Sequence, residues 1–167
     1  MEILSESYFW SKRDEGLMLA KKFNACKTQL KLATNAKTPK EFADVCYANL
    51  NWLMGKVIIP REIGFAEGTT FGGVVRVSNC PSFKGFPDGI NFCGGVYVSN
   101  CPLFKGFADG TTFGGGVRLD NCPSFTGFAE GTTFGGGVRL DNCRLFKGFA
   151  EGTTFGGGVY VYNCRLY

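Results

Sequence analysis

"GFAEGTTFGGGVRLDNC", residues 127–143, is the stretch on which the fold turns. Its glycine run and its cysteine invite an active-site reading, since glycine loops cradle phosphate and thiolates hold metals or attack electrophiles. Other copies argue against that reading. Residues 106–122 read "GFADGTTFGGGVRLDNC", and residues 148–164 read "GFAEGTTFGGGVYVYNC". Two more divergent copies come earlier, "GFAEGTTFGGVVRVSNC" at 64–80 and "GFPDGINFCGGVYVSNC" at 85–101. Their closing cysteines, Cys80, Cys101, Cys122, Cys143 and Cys164, are spaced 21 residues apart. A fixed period in the twenties marks a solenoid, in which each unit buries its apolar side against its neighbours. A catalytic loop occurs once, and this segment occurs five times. The glycines also lack the Gly-Lys-Ser/Thr ending of a phosphate loop and the GxGxxG entry to a helix.

Each column of the repeat has a physical role. Of the 17 phenylalanines, 14 fall in three columns, headed by Phe65, Phe71 and Phe83, and form the expected core. Val75/Val77, Val96/Val98, Val117/Leu119, Val138/Leu140 and Val159/Val161 alternate with polar residues. That period of two predicts a short strand with one buried face. The glycines before it permit tight turns and close approach of successive coils. Glu67, Asp88, Asp109, Glu130 and Glu151, each followed by glycine, mark a solvent turn. The cysteine column reads as a packed ladder of small buried thiols, because zinc needs four ligands converging tetrahedrally and a single file does not converge. Paired threonines such as Thr132/Thr133 raise ice binding, but adjacent residues of an extended chain point opposite ways.

The strand-and-cysteine segment resembles the leucine-rich repeat, L-x-x-L-x-L-x-x-N/C-x-L at 20–29 residues. Val138 and Leu140 match its central strand positions, Cys143 its Asn/Cys position, and Phe146 falls one place past the last. The "F-x-G-F-A-E-G" half is similar to the turn of short bacterial and phage repeats, with Phe for Leu. The resemblance covers roughly residues 60–167; a right-handed parallel β-helix is the structural alternative. It implies that the strand face binds a partner. The outward residues are then Arg76, Tyr97, Arg118, Arg139 and Tyr160, flanked by Asp120, Asp141 and Tyr162. Arg and Tyr are enriched at interface hot spots. The plainer reading is a solvated face on which Asp120 and Asp141 relieve repulsion between stacked arginines.

Residues 1–56 do not repeat and form a helical N-terminal head, with the solenoid over 57–167. "TPKEFADVCYANLNWLM" carries a capping box, with Thr38 as N-cap, Pro39 at N1, Glu41 at N3, and Gly55 as the stop. An earlier helix is expected over about 6–34, interrupted near Asn24, with Phe9, Leu17, Leu19, Ala20, Phe23, Leu30 and Leu32 as its apolar set. Cys26 and Cys46 read as core, and Cys93, in a glycine position, as partly exposed. Solenoid ends expose core, so the helices most simply cap the first coil. "VIIPREIGF" is the lead-in strand and turn. The other end carries no cap in this sequence, which predicts a homodimer through Phe155, Val159, Val161, Cys164, Leu166 and Tyr167.

The fold class is therefore α+β: a helical cap, then a parallel β-solenoid of about five coils. The chain lacks histidine, which removes His-based triads and ligands. Charge is balanced, with nine Lys/Arg against six Asp/Glu in residues 1–60 and nine against eight in 61–167, so no dense basic stripe appears. No apolar run approaches ~18 residues and no secretory signal is read, so no membrane association is expected. Eight cysteines then suggest reduced thiols in the cytoplasm. No nucleophile–base pair, metal cluster or cofactor loop stands out, and no cofactor is expected. The reading is a non-enzymatic protein-binding repeat protein acting by surface occlusion. Its sharper form is a phage-encoded inhibitor of a host defence complex, of the anti-CRISPR type. The alternatives are a nucleic-acid binder using the arginine stripe and a self-assembling structural solenoid.

Overall fold

The computed structural model describes residues 2–22, 25–49 and 63–165. Among these residues, four helices precede a parallel β-solenoid, and the solenoid is the one the periodicity predicts. At its start, β1 (Glu2–Leu4) pairs in parallel with β2 (Ile63–Phe65). The repeats then build two five-stranded parallel ladders. One joins β3 (Thr70–Phe71), β6 (Asn91–Phe92), β9 (Thr112–Phe113), β11 (Thr133–Phe134) and β13 (Thr154–Phe155). The other joins β4 (Val75–Ser78), β7 (Val96–Ser99), β10 (Val117–Asp120), β12 (Val138–Asp141) and β14 (Val159–Tyr162). A third, shorter ladder pairs β5 (Gly85–Phe86) with β8 (Gly106–Phe107). Register follows the sequence period, with Val75, Val96, Val117, Val138 and Val159 aligned across the second ladder. Five strands in file enclose about four complete 21-residue turns, slightly fewer than the five coils expected, because five strands bound four intervals.

The three phenylalanine columns are the core. Rings stack along a column and meet edge-on between columns. Phe86 and Phe107 lie 5.4 Å apart at 1°, while Phe92 and Phe107 lie 5.8 Å apart at 89°. Such pairs add roughly 0.5–1.5 kcal/mol beyond area burial. The alternation in β10 is buried, exposed, buried, half-buried, which places Val117 and Leu119 inside.

Two backbone features close each coil. Asn79, Asn100, Asn121, Asn142 and Asn163 adopt φ between 51° and 56°, a left-handed turn that asparagine tolerates better than most residues. Their side chains also link coils: Asn100 Nδ2 donates to Asn79 Oδ1 at 3.1 Å, and Asn121 Nδ2 to Asn100 Oδ1 at 3.0 Å. The close approach expected of the glycines is real. A Cβ on Gly136 would sit 2.7 Å from the backbone nitrogen of Gly116.

The first expected helix divides into α1 (Glu6–Ser11), α2 (Arg13–Lys22) and α3 (Lys27–Asn35). The break at Lys12 lets α1 follow β1 into the core with Phe9 buried, while α2 and α3 bury no residue. Leu32, expected among the apolar set, is 52% exposed, since α3 turns Leu30 and Ala33 inward instead. Cys26, expected in the core, is exposed at the N-cap of α3, whereas Cys46 is buried and Cys93 exposed. In α4 (Pro39–Ala48), Thr38 caps as expected, accepting from Glu41 N at 3.2 Å. Glu41 Oε2 in turn accepts from Lys37 N at 2.7 Å. The helix ends at Ala48, earlier than expected, where the Asn49 side chain donates to Val45 O at 2.7 Å. The expected stop at Gly55, Phe23 of the first apolar set, most of the lead-in strand and the 56/57 boundary lie outside the described residues.

The helices cover the first coil. The Tyr47 ring meets Phe71 edge-on at 4.6 Å and Phe9 at 5.1 Å, and Tyr47 Oη donates to Leu4 O at 3.5 Å. Head and solenoid share one buried cluster. Among the described residues, no helix is long and apolar enough to cross a membrane.

Candidate interface on the strand face

The in-register ladder brings the predicted outward residues together. Arg76, Tyr97, Arg118, Arg139 and Tyr160 align in one file, because each occupies the second position of a four-residue strand. Ser78, Ser99, Asp120, Asp141 and Tyr162 form the second file. Arg76, Arg118, Arg139, Tyr160 and Tyr162 are exposed, and Tyr97, Asp120 and Asp141 are half-buried.

The arginines are held by their own neighbours. Arg76 lies over the Tyr97 ring, 5.0 Å from its centroid. Arg118 Nε donates to Asp120 Oδ2 at 2.7 Å, two residues along the same strand. Arg139 lies over Tyr162 at 5.2 Å. Asp120 thus relieves the charge of Arg118, as expected of the plainer reading. Asp141 instead accepts from Asn163 Nδ2 at 3.1 Å, and an aromatic face takes its place beside Arg139. At the end of the file, Tyr160 and Tyr162 stack with centroids 6.5 Å apart. Ser78 and Ser99 share a hydroxyl–hydroxyl hydrogen bond of 2.7 Å at the other end. The result is a polar, aromatic surface with most of its charge partnered.

The thiol column behaves as packing. Cys80, Cys101, Cys122 and Cys143 are fully buried, and all eight cysteines are free thiols. Cys101 Sγ donates to Ser99 O at 3.3 Å and reaches Val77 O of the preceding coil at 3.9 Å. Burial pushes the Cys122 and Cys143 thiols up to about 12. Cys101 moves the other way, because its hydrogen bond with Cys80 favours the thiolate. Among the described residues, no three His, Cys, Asp or Glu side chains gather to hold a metal. The threonines diverge as argued from strand geometry: Thr132 Oγ1 turns back to Ala129 O at 2.6 Å, and Thr133 faces solvent.

Sequence reasoning missed the asparagine file. Its signal is plain in retrospect, since an asparagine precedes every closing cysteine. Of the six residues predicted at a dimer contact, Leu166 and Tyr167 lie outside the described residues. Val159 is 40% exposed, and Phe155, Val161 and Cys164 are half-buried. Comparison with protein-family models, curated proteins and solved structures finds no match for the chain.

Proposed function

We propose that the chain is a non-enzymatic binding protein whose outward strand face occludes the surface of a protein partner. The carrying observation is the in-register file of Arg76, Tyr97, Arg118, Arg139 and Tyr160, with Tyr162 beside it. Tyrosines and arginines braced against one another lose little side-chain entropy on docking, a property of interface anchors. The same bracing favours a protein over a polyphosphate chain, because Arg118 already has a carboxylate partner. The likeness to short leucine-rich repeats of bacteria and phages extends the proposal. In that form the chain is a phage-encoded, cytoplasmic inhibitor of a host defence complex, of the anti-CRISPR type.

The test is inhibition of, and co-purification with, purified RNA-guided defence nucleases, using wild type beside Arg118→Glu/Arg139→Glu. Circular dichroism first establishes that the variant folds. Inhibition by wild type and its loss in the variant supports the strand face. Equal inhibition by both moves the site to the helical head. No inhibition and no co-purification retires the defence reading. Binding to DNA or RNA with steep salt dependence replaces the protein partner with nucleic acid.

A second reading rests on the last coil, where Val159 and Tyr162 are exposed on an edge strand. Such an edge pairs readily with a second copy about a two-fold axis. Light scattering that shows a monomer at micromolar concentration ends the homodimer reading, and filaments that grow with concentration favour structural assembly.

A further inference from the structure

The helical head holds a feature that the strand-face reading does not use. The four helices line a half-open pocket of about 230 Å³. Its walls include Tyr8, Phe9, Leu17, Leu30, Ala33 and Phe42. Leu17, Leu30 and Ala33 are half-buried, and Leu17 and Ala33 pack against the edge of the buried cluster. Apolar cavities of about 150 Å³ accept benzene-sized guests, so this pocket has room for a larger one. The rim charges offset each other: Lys12 Nζ and Glu15 Oε2 are 3.9 Å apart. Three of the wall residues are aromatic, and Tyr8 and Phe9 already meet edge-on at 5.5 Å.

We infer that this cavity is a binding site for a small neutral aromatic compound, about the size of a fused bicyclic ring. Aromatic walls offer a planar guest both edge-on and offset contacts. An apolar guest also completes the burial of α2 and α3, which hold no fully buried residue although Leu17 and Ala33 pack against the core. A charged guest gains little, because the rim lysine already faces a carboxylate. The site is independent of the strand face, so the two can succeed or fail separately.

The molecule carries its own reporter. Cys26 lines the cavity and is exposed to solvent, which places its thiol at the mouth. Backbone N–H groups of Gln29 and Thr28 hold that thiol below its ordinary range, so it alkylates readily. Cys93, exposed on the solenoid, is the internal control. The experiment measures iodoacetamide labelling of both cysteines by peptide mass in the full chain, with and without indole. Indole is expected to slow Cys26 several-fold and to leave Cys93 unchanged. Ala33→Phe, which fills the cavity with its own ring, is expected to abolish the protection; Ala33→Leu serves if that variant does not fold. Three results overturn the inference: no protection of Cys26, equal slowing of both cysteines, or protection that survives in a folded cavity-filled variant.

Discussion

Phe71 and Phe155 stand in the same column of the repeat, yet Phe71 is fully buried and Phe155 only half-buried. Val75 and Val159 differ in the same way, at 0% and 40% exposure. The residues and the strand geometry match at both ends. What differs is the neighbour: Tyr47 of the head lies on Phe71, and no element among the described residues covers Val159. A repeat sequence therefore sets which way a side chain points, and the next layer sets whether it is buried. Most of the stabilisation of a solenoid lies in such interfaces between neighbours.

The largest expected effect separates an inner coil from the outer one. Phe92 is fully buried between Phe71 at 5.2 Å and Phe113 at 5.6 Å. Phe92→Ala is expected to cost about 3–5 kcal/mol in urea unfolding, from lost transfer energy and the cavity left behind. Phe155→Ala is expected to cost about 1–2 kcal/mol, in line with its partial burial. Equal costs would mean that the last coil is covered in solution, by a second copy or another partner.

The thiol column gives a smaller effect, spread along pH. Burial raises Cys122 and Cys143 from 9.0 to about 12. Between those values the unfolded chain releases protons that the folded chain keeps. Stability is therefore fully present below about pH 9 and declines as pH rises toward about 12. The lowered Cys101 contributes in the opposite direction. Melting temperature measured across this window should fall, and Cys143→Ala should flatten the slope. A flat profile in the wild type would show that the buried thiols do not resist ionisation.

The smallest effect belongs to the strand face. The Arg118–Asp120 pair is 47% and 25% exposed at its two side chains. Asp120→Asn is expected to change stability by no more than about 0.5 kcal/mol, as partly exposed pairs usually do. A loss several times larger would show that the pair supports the ladder as well as ordering the face.

Much of this fold was legible because its signals are local or periodic. The 21-residue spacing of Cys80 through Cys164 predicted the register now seen from Val75 to Val159. Alternation in "VRLD" predicted its buried and exposed faces, and Thr38 with Glu41 predicted the start of α4. The candidate site was legible as a list of residues but not as a set of contacts. Arg118 and Arg139 occupy equivalent positions, yet one meets Asp120 and the other Tyr162. That difference arises in the next coil, where Tyr162 replaces the aspartate of the column. Cys26 and Leu32 were misplaced because helical spacing does not say which face of a helix its neighbours cover.

The sequence alone determined the coil length, the three phenylalanine columns, the inward direction of the thiols and the composition of the outward file. These follow from φ/ψ preferences and from a period repeated often enough to exclude other registers. The tertiary structure alone decided that the first helix also divides at Lys12, how Tyr47 seals the first coil and which arginine meets which partner. It also opened the cavity beside Phe9 and Phe42. Each of these depends on groups brought together across long stretches of chain, where packing and not local preference selects the outcome.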